Sequence, residues 1–105
     1  MKVVYTAYSS KNFRLRARIT RYVINRGMVP INPFLNFDYF LMDTIDKETQ
    51  RELNFELIRR VDEVWVFGEL SDGVREEIDF ANLVSKPVRY VSEESIEKIT
   101  KVKEK

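Results

Sequence analysis

Residues 62–91 read DEVWVFGELSDGVREEIDFANLVSKPVRYV, and this stretch decides the fold. Val64, Trp65, Val66 and Phe67 form a short β-branched and aromatic run. A Gly/Ser/Asp turn follows, then a helical pattern, then a second apolar run after Pro87. Strand, loop, helix and strand in that order predict two parallel strands joined by a right-handed crossover. In open α/β sheets of this kind, ligands sit where loops leave the carboxyl ends of the strands.

The helix in this unit carries an anomaly. At roughly 100° per residue, Val74, Ile78, Phe80, Ala81 and Val84 share one arc, with Arg75, Glu76, Asp79 and Asn82 opposite. Glu77 falls inside the apolar arc. A carboxylate on a core-facing stripe must be paired or used, because burying it alone costs several kcal/mol.

Composition narrows the chemistry. A chain of 105 residues predicts one domain over its whole length. With no cysteine, disulfides, thiolate catalysis and cysteine-ligated zinc are excluded; with no histidine, the usual general base and the commonest metal ligand are missing. No cofactor and no metal are expected. Any catalysis rests on carboxylates, tyrosines, lysines and backbone donors. A net charge of +1 leaves no footprint for nucleic acid, and Arg14, Arg16, Arg18 and Arg21 read as a solvated helix face. No stretch is long enough for a membrane span, and Met1-Lys2 leads straight into a strand, so no membrane partner and a cytoplasmic location are expected.

Outward from that unit, Val3, Val4, Tyr5 and Ala7 predict a first strand buried on both faces. Ser9 or Ser10 caps the next helix, whose apolar positions Phe13, Leu15, Ile19, Tyr22, Val23 and Ile24 end at Gly27. Met28 to Ile31 predicts a short strand, near a sheet edge because of Pro30 and Pro33. The loop from Asn32 to Asp46 holds Phe34, Leu35, Phe37, Tyr39, Phe40 and Leu41. It either packs on the core as a flap or short helix, or offers a ring to a flat ligand; one loop can do both. Asp46 caps a helix over Lys47 to Val61, where Gln50 and Asn54 sit inside the apolar arc of Leu53, Leu57, Ile58 and Val61. Bonds to the loop's backbone, or a polar pocket nearby, account for them. Asp62 to Phe67 and Pro87 to Val91 are the third and fourth strands. Ser92 caps a last helix, and Lys101 to Lys105 is expected to fray.

The motifs resemble the nucleoside 2-deoxyribosyltransferase superfamily. They are Tyr5-Thr6-Ala7, the Pro33 loop, the Asp62 strand and Asp72-Gly73-Val74-Arg75-Glu76-Glu77-Ile78-Asp79-Phe80-Ala81; Gly73, Glu77, Ala81, Lys86 and Pro87 match in register. A branch carrying a Pro-x-Leu-x-Phe-like loop and a Cys-Asp-Glu-Leu-Trp-Val-Phe-Gly strand is more similar still; here these read Pro33-Phe34-Leu35-Asn36-Phe37 and Val61-Asp62-Glu63-Val64-Trp65-Val66-Phe67-Gly68. The resemblance implies that Glu77 is a nucleophile attacking C1′ of a ribose or deoxyribose, with Tyr5 orienting it. Asn54 stands where the superfamily has an aspartate that serves the departing base, and asparagine has no proton to give. Ser71 replaces a sugar-binding aspartate; nucleotide N-glycosidases also carry serine there, against a 5′-phosphate.

The expected fold is a three-layer, flavodoxin-like α/β sandwich with four parallel strands ordered 2-1-3-4. The expected function is cleavage of an N-glycosidic bond in a nucleoside or nucleotide, as an N-glycosidase or deoxyribosyltransferase-like enzyme. Glu77, Tyr5 and Asn54 form its centre. Ser9, Ser10, Ser71, Asp72 and Gly73 hold the sugar or phosphate, and Phe34, Phe37 or Phe40 stacks on the base. The competing reading is a non-catalytic module that binds a nucleotide or a nucleotide-derived ligand. A blander one is a structural domain with Glu77 in a salt bridge. The resemblance also implies a homodimer.

Overall fold

Residues 1–98 are described in a computed structural model; residues 101–105, expected to fray, lie outside them. The chain runs β1 (Val3–Tyr8), a 3-10 segment (Ser10–Leu15), α1 (Arg16–Asn25), β2 (Val29–Ile31), α2 (Pro33–Asn36), α3 (Tyr39–Met42), α4 (Lys47–Arg60), β3 (Glu63–Phe67), α5 (Asp72–Leu83), β4 (Val88–Val91) and α6 (Glu93–Glu97). The strands are parallel in the order β2-β1-β3-β4, as expected. Tyr5 lies opposite Ile31 on one side and Val64 on the other, which pins the register of the central pair.

Because side chains alternate along a strand, the sheet builds two cores. Val4 and Tyr8 of β1 join Trp65 and Phe67 of β3 under α1 and α6, where Leu15, Ile19, Tyr22, Val23 and Ile96 complete one layer. Tyr5 and Ala7 join Val64 and Val66 on the other face, under Ile58 of α4 and Val74, Ile78 and Ala81 of α5. Covering both faces explains why the strands read as nearly unbroken apolar runs.

Several boundaries differ from expectation, among them the starts of β3 and β4 and the end of α4, each by one residue. The helix expected after Ser9 is broken: Ser9 accepts a bond from the Lys11 N–H and caps a 3-10 segment, and Asn12 (φ −101°, ψ 19°) leaves helical geometry before α1 begins. The two pieces do not share one 3.6-residue period, so an arc drawn through both overshoots, and Ile24 ends half exposed. Gly27, at φ +78°, closes α1 as expected, with bonds from Gly27 to Ile24 and from Met28 to Val23. The second strand is one residue shorter than Met28 to Ile31, and it lies on the sheet edge. The aromatic loop folds into α2 and α3, capped by Asn32 and Asp38. Phe34 packs on Tyr8 with ring centres 4.9 Å apart, and Tyr39 stacks on Phe13 at 4.2 Å.

Candidate functional site

Helices α4 and α5 cover the same sheet face and are joined by the rings of Phe55 and Phe80, stacked at 4.2 Å and 3°. Such a pair contributes about 1 kcal/mol beyond its burial. It also fixes the rotation of both helices, so that their two out-of-pattern polar residues meet. The Tyr5 hydroxyl donates to Glu77 Oε2 at 2.9 Å, and Asn54 Nδ2 reaches the same oxygen at 3.4 Å. Oε1 of Glu77 takes neither bond. Among the described residues no lysine or arginine pairs with Glu77; Arg51, the nearby candidate, goes to Glu76 at 3.0 Å. Asn54 Oδ1 is buried without a partner.

The electrostatics follow from burial. Desolvation pushes the Glu77 carboxyl up to about 7, aided by the charge of Glu76, while the bonds from Tyr5 and Asn54 pull it down. Burial also holds the Tyr5 phenol well above its usual range, with the negative charge of Glu77 adding to it, so Tyr5 remains a donor. Near neutral pH, Glu77 is divided between its acid and carboxylate forms. A carboxylate with little solvation and one unengaged oxygen is a competent nucleophile or base.

Glu77 opens into a cleft of about 430 Å³ beyond the ends of β1 and β2. Thr6, Tyr8 and Ser10 form one side, the aromatic loop contributes Pro33, Phe34, Tyr39, Met42, Asp43 and Ile45, and Asp46, Lys47, Gln50 and Asn54 complete the wall. A second cavity of about 300 Å³ shares Lys47, Gln50, Asn54 and Glu77 with it and extends to Asp72 and Gly73. The volume suits a small ligand with one flat ring.

The structure therefore brings Tyr5, Asn54 and Glu77 together and sets Ser10 and Phe34 in the same cleft, with Asp72 and Gly73 in the adjoining cavity. The other expected contacts lie elsewhere. Ser9 is buried as a cap, Ser71 caps α5 through the Val74 N–H at 3.3 Å, and neither Phe37 nor Phe40 lines either cavity. Phe40 is 72% exposed, its ring in a T-shaped arrangement with that of Phe13. The ring that joins Phe34 at the cleft is Tyr39, which the sequence placed in the loop without indicating its direction. The two amides on α4 divide as well: Gln50 Nε2 donates to the carbonyls of Met42 and Ile45, both at 2.6 Å, and so ties down the loop, whereas Asn54 turns to Glu77. Asp43 and Asp46 at the cleft carried no signal in the pattern beyond the helix cap.

The order and direction of the strands, with helices on both faces, are a fold shared with two solved structures. The structure superimposes on the 2-desoxiribosyltransferase from Leishmania mexicana with a TM-score of 0.66 and 17% identity, over 88% of this chain and 65% of that one. It superimposes on the CMP N-glycosidase BcmB of Clostridium botulinum with a TM-score of 0.61 and 16% identity, over 94% of this chain and 98% of that one. No curated protein matches the sequence. Residues 3–91 match the family described as a domain of unknown function, DUF7768, and the chain belongs to that family. It thus spans 65% of the length of the Leishmania protein, less than the whole of that enzyme.

Proposed function

We propose that this protein cleaves the N-glycosidic bond of a nucleoside or nucleotide, with Glu77 as the nucleophile. The observation that carries the reading is the partly buried, unpaired Glu77 carboxyl, held on Oε2 by Tyr5 with Oε1 left unengaged beside the cleft. Attack of Oε1 on C1′ forms a glycosyl ester as the C1′–N bond breaks and its electron pair leaves with the base. Water then displaces the sugar from Glu77. The fold shared with a deoxyribosyltransferase and an N-glycosidase supports the reading. Phe34 and Tyr39 would flank the base, Ser10, Asp72 and Gly73 the sugar end, and Asn54 would position the carboxyl; no cofactor is invoked.

Incubation with a panel of ribo- and deoxyribonucleosides and their 5′-monophosphates, followed by chromatography of free base, tests this with Glu77→Ala alongside. Base release that persists in Glu77→Ala removes the nucleophile assignment. Asn54, which has no acidic proton, favours a second reading: a pocket that binds such a ligand without cleaving it. Tight binding with no base release in long incubations selects it.

We propose further that the protein is a cytoplasmic homodimer. Leu35, Phe40 and Leu41 are exposed on the aromatic loop at the cleft, a surface a second copy would cover. A strict monomer in light scattering removes that proposal. No described helix is long and apolar enough to cross a membrane.

A further inference from the structure

The cleft is acidic although the chain as a whole carries a net charge of +1. Its lining includes three acidic residues, Asp43, Asp46 and Glu77, against one basic residue, Lys47. Among the described residues neither Asp43 nor Asp46 is in an ion pair. The Thr49 N–H bonded to Asp46 at 2.7 Å holds that carboxyl below its usual range, so it stays ionised and is a poor proton donor. Asn54, in contact with Glu77, has no acidic proton, and the Tyr5 phenol is held in its protonated form. The lining thus combines acidic side chains, the rings of Phe34 and Tyr39, and no strong acid beside the nucleophile.

An uncharged base leaving a sugar carries away an electron pair and must be protonated as it goes; a base that is already cationic leaves neutral and needs no proton. Aromatic faces and carboxylates both attract a flat cation. We infer that the ligand of this cleft is an N-glycoside with a positively charged base, a pyridinium or an N-alkylated purine, held by Phe34, Tyr39, Asp43 and Asp46 for attack by Glu77. The inference rests on the proposed role of Glu77. The step balances without an acid: Glu77 Oε1 bonds to C1′, the C1′–N bond breaks, its electron pair neutralises the ring nitrogen, and hydrolysis of the ester by water yields the free sugar and one proton. The bound cation also favours the ionised form of Glu77, opposing the desolvation that raises the carboxyl.

The test compares nicotinamide riboside and 7-methylguanosine with uridine and guanosine, each rate divided by its uncatalysed hydrolysis, in the wild type, in Glu77→Gln and in Asp43→Asn/Asp46→Asn. Asparagine keeps the helix cap at position 46. The expected result is a Glu77-dependent acceleration roughly a hundredfold larger for the cationic pair, falling roughly tenfold in the double variant. Glu77-dependent release that is as fast from guanosine or uridine overturns the inference and leaves the glycosidase reading standing. If no substrate is cleaved, that reading falls, and calorimetric titration then decides the inference. Nicotinamide riboside binding at least about tenfold tighter than its uncharged 1,4-dihydro form supports a cation site, and equal binding overturns it.

Discussion

Tyr5 and Tyr8 leave the same strand on opposite faces, and each ends in a hydrogen bond to a polar side chain, yet the two junctions are built differently. On the α1 side, Tyr8 donates to Asn32 Oδ1 at 3.0 Å; the same oxygen accepts the Phe34 N–H, and Asn32 Nδ2 donates to Thr20 Oγ1. The amide of Asn32 is bonded through both of its polar atoms, and none of the three side chains is ionised near neutral pH. On the α4/α5 side, Tyr5 meets a carboxyl raised to about 7, beside an amide whose oxygen has no partner. A closed network of neutral groups fixes a fold. An open one around a half-ionised carboxyl is costly to keep and has the character of a site.

Glu77→Gln should break the comparison most severely. It keeps the shape and an acceptor for Tyr5 but removes the nucleophile, so base release should fall by roughly 10³ or more, read by chromatography at pH 8. The same variant should be more stable than the wild type in alkaline solution. Because the folded-state value is raised from 4.5 to about 7, the contribution to stability from holding the proton is complete below 4.5 and lost as pH rises through 7. Denaturant titrations should show Glu77→Gln gaining about 3 kcal/mol on the wild type between pH 4.5 and pH 8; a constant difference across that range contradicts a desolvated carboxyl.

Asn32→Ala probes the closed junction. It strands the Tyr8 hydroxyl and the Phe34 N–H, and should cost about 2 kcal/mol in chemical denaturation at any pH between 5 and 8. A pH-dependent loss would make this junction resemble the other. Tyr5→Phe sharpens the contrast with a smaller effect, on rate rather than stability. It should lower kcat roughly tenfold and move the acid limb of the rate profile upward, because the lost bond favoured the ionised form of Glu77. An unmoved limb would mean that Tyr5 does not act through Glu77.

Much of the site was legible in the chain because it broke a local rule. Glu77 and Asn54 each interrupt an apolar arc, and such interruptions mark either a buried pair or a site. Gln50 interrupts the same arc for the ordinary reason, a bond to loop carbonyls, and nothing in the periodicity of α4 separates the two amides. The aromatic loop announced a flat surface but not which ring would face the cleft. Phe34 and Tyr39 do so, while Phe40 points to solvent, because the caps at Asn32 and Asp38 set the rotation of two helices too short to show a period.

The sequence by itself determined the four strands and the main helices α1, α4 and α5, since apolar runs, helix period, caps and Gly/Pro stops are all encoded within a few residues of where they act, while the order of the strands entered with the family resemblance. Only the tertiary structure decided that Tyr5 would touch Glu77, 72 positions away, that Asn54 would be left with an unpaired oxygen, and that Asp43 and Asp46 would charge the cleft. Those outcomes depend on how α4, α5 and the aromatic loop rotate against one sheet. Packing sets that rotation, through contacts such as the Phe55–Phe80 stack, and no local pattern records it.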